Sequence, residues 1–478
     1  MILLSNSLNI IQKNIQGITL FSSVFCFFLS TFFWIFFDRT SCDYQFIYIN
    51  SLLEFNFDFY INKYIISFGI DGISLFFILL STFTIPLCVL SSYKQNFIYI
   101  KDYCLYLLLV EIFLILAFSA MDLILFFIFF ESILIPMFLI IGIWGSRERR
   151  VRATFLFFLY TLFGSIFLFF TILIVYYDAG TTNFCVLSKL NLEVNKQFII
   201  WLFVYIAFSV KIPTIPMHIW LPEAHVEAPT AGSVILAGLL LKLGGYGFIR
   251  VLLTIFSKTT IFYLPLTDTF AIISIVYASF TTIRQIDMKR IIAYSSIAHM
   301  NLVVLGLFSG NIQGVMGSIF LMLAHGIVSS ALFFLIGVLY DKYGTRIIYY
   351  YGGLVKPVPI FSVLLVLFCF ANIGLPGTCN FVGEIVIFFG IVDRNIIILI
   401  VAITGVIWSV LYTIFFLNRL IFGNINLNYI FIFKDINLRE FATLAPLAFL
   451  TLLLGIFPDL IFDTILASTS INIEYYNL

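Results

Sequence analysis

Long apolar runs separated by short polar stretches dominate the chain from residue 16 onward. A helix crossing roughly 30 Å of hydrocarbon needs about 20 mostly apolar residues. Thirteen segments reach that length: 16–37, 70–92, 103–120, 122–143, 150–177, 197–219, 228–255, 261–283, 289–309, 311–340, 358–389, 395–419 and 441–466. A membrane β-barrel would show alternating segments of about ten residues, whereas these runs are continuous and twice as long. The pattern predicts an all-α polytopic transmembrane bundle of about thirteen spans.

Two of the runs are punctuated. Pro213 and Pro216 fall in AFSVKIPTIPMHIW, and Gly374, Pro376 and Gly377 in NIGLPGTCNFVGEI. Proline has no N–H, so the carbonyls of Ser209 and Ile212 lose their helical donors and the helix should break there. Broken helices at membrane depth survive where they line a cavity or lie within protein. Interruptions at matching places in two halves point to inverted repeats with a site near the midplane. The expected division is an N-terminal pair of spans with its loop (1–102), one five-helix repeat (103–255), a second (256–419), and a C-terminal loop with the last span (420–478).

Composition agrees with a lipid-facing surface. The chain is 62% hydrophobic and only 10% charged, with a mean hydropathy of +1.13. A water-soluble domain carries about 25% charged residues. The net charge of +1 provides no basic field for nucleic acid. Seven cysteines form no C-x-x-C pair, which argues against an iron–sulfur cluster, a zinc knuckle or a disulfide scaffold. The N-terminus shows neither a transit peptide nor a cleavable signal. Assigning loops alternately, sixteen Lys and Arg fall on the N-terminal side and seven on the other. That bias predicts an N-terminus on the cytoplasmic or matrix side.

Two lysines, Lys211 and Lys242, lie inside apolar runs, together with Glu111, Glu131, Glu384, His299 and His325. A charge at a helix centre costs roughly 2.5–3.5 kcal/mol on insertion scales, so each needs a partner or a role. Glu131 in FFIFFESILIPMF reads as an inward proton-carrying acid, and Lys211 sits beside the first break. Lys242, in LLLKLGGYG, is too central to snorkel. Glu384 follows the second break by seven to ten residues. His299 and His325 read as relay candidates among only four histidines. Glu111 stays undecided. In HIWLPEAHVEAP the H-x-x-x-x-E-x-H spacing matches no helical i,i+4 ligand pair, so the segment reads as a helix-capping loop rather than a zinc site. An assumed 7 Å gap between Glu131 and Lys211 at an effective dielectric of about 20 would couple them by roughly 2.4 kcal/mol. No phosphate cradle and no redox ligand appears, so energy has to arrive from partners. A cation/proton antiporter subunit and a structural membrane scaffold are the alternatives.

FFESILIPMFLIIGIWGSRERR, VKIPTIPMHIWLPEAHVEAPTAGSVILAGLLLKLGGYGFIR, RQIDMKRIIAYSSIAHMNLVVLG and FANIGLPGTCNFVGEI together carry a resemblance that runs from about residue 70 to the C-terminus. The chain resembles the antiporter-like membrane subunits of the proton-pumping NADH:ubiquinone oxidoreductase, respiratory complex I. The resemblance implies a proton-transfer chain of Glu131, Lys211, Lys242, His299, His325 and Glu384. It points to the branch in which the second broken helix carries glutamate where sister subunits carry lysine. It further implies no cofactor on this chain, with NADH, flavin, iron–sulfur clusters and ubiquinone in the parent complex. The implied partners are other antiporter-like and membrane-arm subunits and membrane lipids, with no nucleic acid, in the mitochondrial inner membrane. The family usually has fourteen spans, and the segment before residue 16 is too short and polar to supply the first.

Overall fold

The computed structural model describes residues 2–57, 60–93, 99–190, 193–425 and 433–477. It opens with α1 (Ile2–Ile35), followed by a hairpin of β1 (Gln45–Phe57) and β2 (Tyr60–Ile70). Next come α2 (Gly72–Ser92), α3 (Ile100–Ser119), α4 (Leu123–Ser132), α5 (Leu134–Trp144), α6 (Arg150–Ala179), α7 (Phe184–Leu187) and α8 (Val194–Lys211). Helices α9 (Trp220–Glu227) and α10 (Thr230–Ile235) lead into a π-helical stretch, Leu236–Leu240, then α11 (Leu241–Gly247) and a second π stretch, Phe248–Leu253. Helices α12 (Ser257–Ile283), α13 (Met288–Leu307), α14 (Ile312–Tyr343), α15 (Pro359–Ile373) and α16 (Cys379–Val392) follow. The chain closes with α17 (Ile396–Ile421), α18 (Leu438–Ile456) and α19 (Asp459–Asn477).

Among the described residues, twelve helices are long and apolar enough to cross a membrane. The expected span 358–389 is instead the two short helices α15 and α16, as the Gly374–Pro376–Gly377 break required. The helical bundle carries local departures from a plain succession of spans. The loop after the first span contains an antiparallel hairpin, with Gln45 opposite Ile70 and Phe57 opposite Tyr60, so the fold is helical with one β element. The stretch 441–466 is two helices, because Pro458 starts a new turn after α18. The run 122–143 is one span as expected, Leu123–Trp144, with a local irregularity at Ile133 where Pro136 supplies no N–H to the carbonyl of Ser132.

The run Thr230–Leu253 is buried along its length, and α14 is buried from Gly314 to Leu339 apart from half-buried Met316. Glycines let these two central elements meet: a Cβ on Gly326 would stand 3.1 Å from the carbonyl of Gly238. Close backbone approach through small residues is the usual packing device between helices in lipid. The outer helices α6, α12, α17 and α18 turn large hydrophobics such as Phe163, Phe280, Ile407 and Phe449 outward. Lys242 and His325 on the two central elements are thus buried away from lipid.

Candidate proton-transfer site

Helix α8 stops at Lys211, and regular structure resumes at Trp220. The freed backbone groups are each taken up. Thr214 donates its N–H to the carbonyl of Ser209 (3.2 Å), the acceptor that the prolines were expected to orphan. Ile215 N–H donates to Ser274 Oγ of α12 (2.9 Å), Asn301 Nδ2 of α13 to the Pro213 carbonyl (3.4 Å), and Trp220 Nε1 to the Val210 carbonyl (2.9 Å). The break is therefore a fixed, protein-lined feature that presents Lys211 inward.

Lys211 is buried, and among the described residues its ammonium meets no hydrogen-bond acceptor. It lies 4.3 Å from the centroid of the Phe130 ring, a cation–π contact worth about 2 kcal/mol or more when desolvated. Glu131, the next residue on α4, is half-buried, with Ser165 of α6 against its carboxylate and one carboxylate oxygen unpartnered. Lys211 and Glu131 are near enough for each charge to act on the other, yet they are not in ion-pair contact. The pair is loosely held, and the irregularity at Ile133 lies two residues from the carboxylate.

A second group lies at the centre. The π stretch Leu236–Leu240 turns the carbonyl of Ala237 toward Lys242, whose ammonium donates to it at 2.5 Å. The same nitrogen meets His325 Nδ1 of α14 at 2.9 Å. The His325 ring stands 5.8 Å from that of His299 on α13, tilted by 44°. His299 Nδ1 in turn lies 3.4 Å from Glu384 Oε1 on α16. Gly374 makes room for that carboxylate: its φ is +83°, and a Cβ there would stand 2.7 Å from Glu384 Oε2. A cavity of about 20 Å³, lined by His299, Glu384, Ser409 and Tyr412 among others, adjoins the carboxylate. That volume holds about one water.

The six expected residues thus fall into two groups. Lys242, His325, His299 and Glu384 form one file across four helices, and Glu131 with Lys211 forms the other. The groups adjoin, since a Cβ on Gly244 would stand 3.1 Å from that of Lys211, but the two ammonium groups make no hydrogen-bond contact. Glu111 is buried on α3 with one oxygen unpartnered, near Cys26 and Cys88.

Three cations counted as loop charges are in fact buried. Arg250 pairs with Asp71 and faces the rings of Tyr44 and Tyr246. Lys289 donates to the Ala228 carbonyl at 2.9 Å. Arg346 has no solvent exposure and reaches the Val226 carbonyl and Ser146 Oγ. The apolar neighbours of Arg250 in GFIRVLLTIF were a usable signal, as was Asp71 capping α2 through Ser74. The segment expected as a capping loop is the helix α9, and it buries His225.

Two broken helices around a buried lysine, histidine and glutamate file define an antiporter-like membrane subunit. The family described as NADH:quinone oxidoreductase/Mrp antiporter, TM, matches residues 120–411. Proteins named NADH-ubiquinone oxidoreductase chain 4 are 47% identical in Marchantia polymorpha, over 96% of this chain and 92% of that one. The Chondrus crispus protein of the same name is 49% identical, over 94% and 90%. This chain belongs to the NADH-ubiquinone oxidoreductase chain 4 family. Respiratory complex I from Thermus thermophilus with bound NADH contains a chain of TM-score 0.87 and 26% identity, covering 100% of both chains. The Mrp complex from Dietzia sp. matches at TM-score 0.83 and 19% identity, over 98% of this chain and 93% of that one, which is a likeness of fold.

Proposed function

We propose that the chain is a core membrane-arm subunit of the mitochondrial respiratory NADH:ubiquinone oxidoreductase and conducts protons across the inner membrane. The observation that carries this reading is the contact file from Lys242 through His325 and His299 to Glu384. It binds no cofactor itself. NADH, flavin, iron–sulfur clusters and ubiquinone belong to the parent complex, and neighbouring membrane-arm subunits are its partners.

The Glu131–Lys211 pair acts as the loading element. Closing its gap from about 7 Å to about 4 Å would strengthen the attraction by about 1.8 kcal/mol at an effective dielectric of about 20. Moving one charge against 100 mV takes about 2.3 kcal/mol. The two quantities are comparable, so a small displacement of Glu131, driven by partner subunits, is enough to bind or release a proton at Lys211. Lys242 receives it and passes it to His325, which offers a ring nitrogen at 2.9 Å. His299 and Glu384 carry it onward, with water closing the gap between the rings. The breaks at 212–219 and 374–378 support two repeats, 103–255 and 256–419, each supplying one half of the route. The loop-charge bias supports an N-terminus on the matrix side, although Arg250, Lys289 and Arg346 no longer count as free loop charges.

The test is Lys211→Met in the reconstituted parent complex. Electron transfer and assembly should persist while protons moved per electron fall. An unchanged ratio would overturn the reading. The fold likeness to the Mrp complex favours a second reading, a cation/proton antiporter subunit, which predicts sodium-dependent proton movement without NADH.

A further inference from the structure

Lys289 and His225 play no part in the route above, yet both are buried and both meet Ser233 of α10, which runs directly into the π stretch whose Ala237 carbonyl receives Lys242. Lys289, near the start of α13, is 1% exposed. Its ammonium touches neutral acceptors, the Ala228 carbonyl at 2.9 Å and Ser233 Oγ at 3.4 Å. Among the described residues it makes no ion pair. The charged groups that face it are Asp287 on the turn before α13, Glu227 on α9, Asp341 on α14 and Arg346 in the loop after α14. Ser233 also donates to the His225 carbonyl at 3.0 Å, so one hydroxyl bridges the two residues.

His225 is fully buried, with its ring stacked 4.8 Å from Phe333 at 5°. Among the described residues neither ring nitrogen has a hydrogen-bond partner, and one oxygen of nearby Glu227 has none either. Buried polar groups of this kind are satisfied by ordered water. Its stacking partner Phe333 stands about two turns beyond His325 on α14, so the ring lies against the helix that carries the acceptor of Lys242. Farther out, Thr230, Asp341, Arg439 and Glu440 line a cleft of about 20 Å³, room for about one water.

We infer that Lys289 and His225 form a loop-side inlet that feeds Lys242 directly, without passage through Lys211. This rests on the proton-conducting reading above. Lys289 gives up an ammonium proton through water to His225, His225 passes it to a neutral Lys242, and Lys289 is reprotonated from the cleft past Asp341 and Glu227. The competing role is a passive anchor that holds the α9–α10 junction through the Ala228 carbonyl.

Arginine keeps the charge and the donors but cannot release a proton, and histidine keeps a releasable proton near pH 6.5. In the assembled complex in sealed vesicles, Lys289→Arg should lower the proton increment of this subunit, read as protons moved per NADH oxidised. Lys289→His should restore part of it, with the pumping optimum moved to lower pH. An anchor predicts the reverse order, with arginine active and histidine inactive, and that result would overturn the inlet. His225→Phe preserves the stack on Phe333 and should also lose the increment; normal pumping there overturns the inlet even if the Lys289 variants fail to assemble. Loss in Lys211→Met with normal pumping in Lys289→Arg would remove the inlet alone, whereas normal pumping in both would remove the general reading as well.

Discussion

At the scale of single residues, the site depends as much on what is small as on what is charged. Gly374 holds a left-handed conformation that costs an L-residue about 1–2 kcal/mol, and it borders the Glu384 carboxylate. Gly374→Ala should therefore destabilise the subunit by at least that amount and push Glu384 away from His299. Thermal stability of the purified complex and protons moved per electron should both fall, the second even at temperatures where assembly is complete. Lys211 shows the complementary principle. Its charge faces an aromatic ring and a carboxylate beyond ion-pair reach, so it is held without being locked. A tight buried ion pair would resist the change of state that proton transfer needs, because separating it costs several kcal/mol.

At the scale of elements, irregularity is where the buried ionisable groups sit, Lys211 at the end of α8 and Lys242 beside the π stretch. The π stretch Leu236–Leu240 accommodates one extra residue per turn and aims the Ala237 carbonyl at Lys242. Deleting Leu239 should restore α geometry, rotate Lys242 about 100° relative to the preceding turn, and abolish pumping; retained pumping with a shortened segment would show the stretch to be incidental. The proline and glycine breaks were legible in the sequence because their cause is local, a missing N–H or a missing Cβ. The π stretches were not, since FIRVLL carries no breaker and the single Gly238 of LAGLL does not by itself specify a π turn. The meeting of His299, His325 and Glu384 was equally hidden, because it depends on how α13, α14 and α16 pack. The expected loop placement of Arg250, Lys289 and Arg346 failed for a related reason: a cation near a span end looks the same in sequence whether it faces water or a buried carbonyl.

At the scale of the whole molecule, orientation is the accessible property. Cys42 and Cys185 are both exposed and line one cavity of about 160 Å³ at the face opposite the Arg147–Arg152 loop. A membrane-impermeant maleimide should label both from the intermembrane side and neither from the matrix side, which tests the proposed orientation. The apolar runs made the overall bundle readable, since lipid imposes length and composition on every span. The complete enclosure of Thr230–Leu253 was not readable, as its mean hydropathy of 1.6 is no higher than that of partly exposed α12. That enclosure also bears on biogenesis. His325, which meets Lys242 alongside the Ala237 carbonyl, is encoded 83 residues downstream, so the nascent chain presents a lysine with only its local carbonyl partner to the insertion machinery before the histidine leaves the ribosome. Early intermediates must shelter that segment within the insertase or against upstream helices, and membrane integration of this protein is completed only when α14 arrives to close over it.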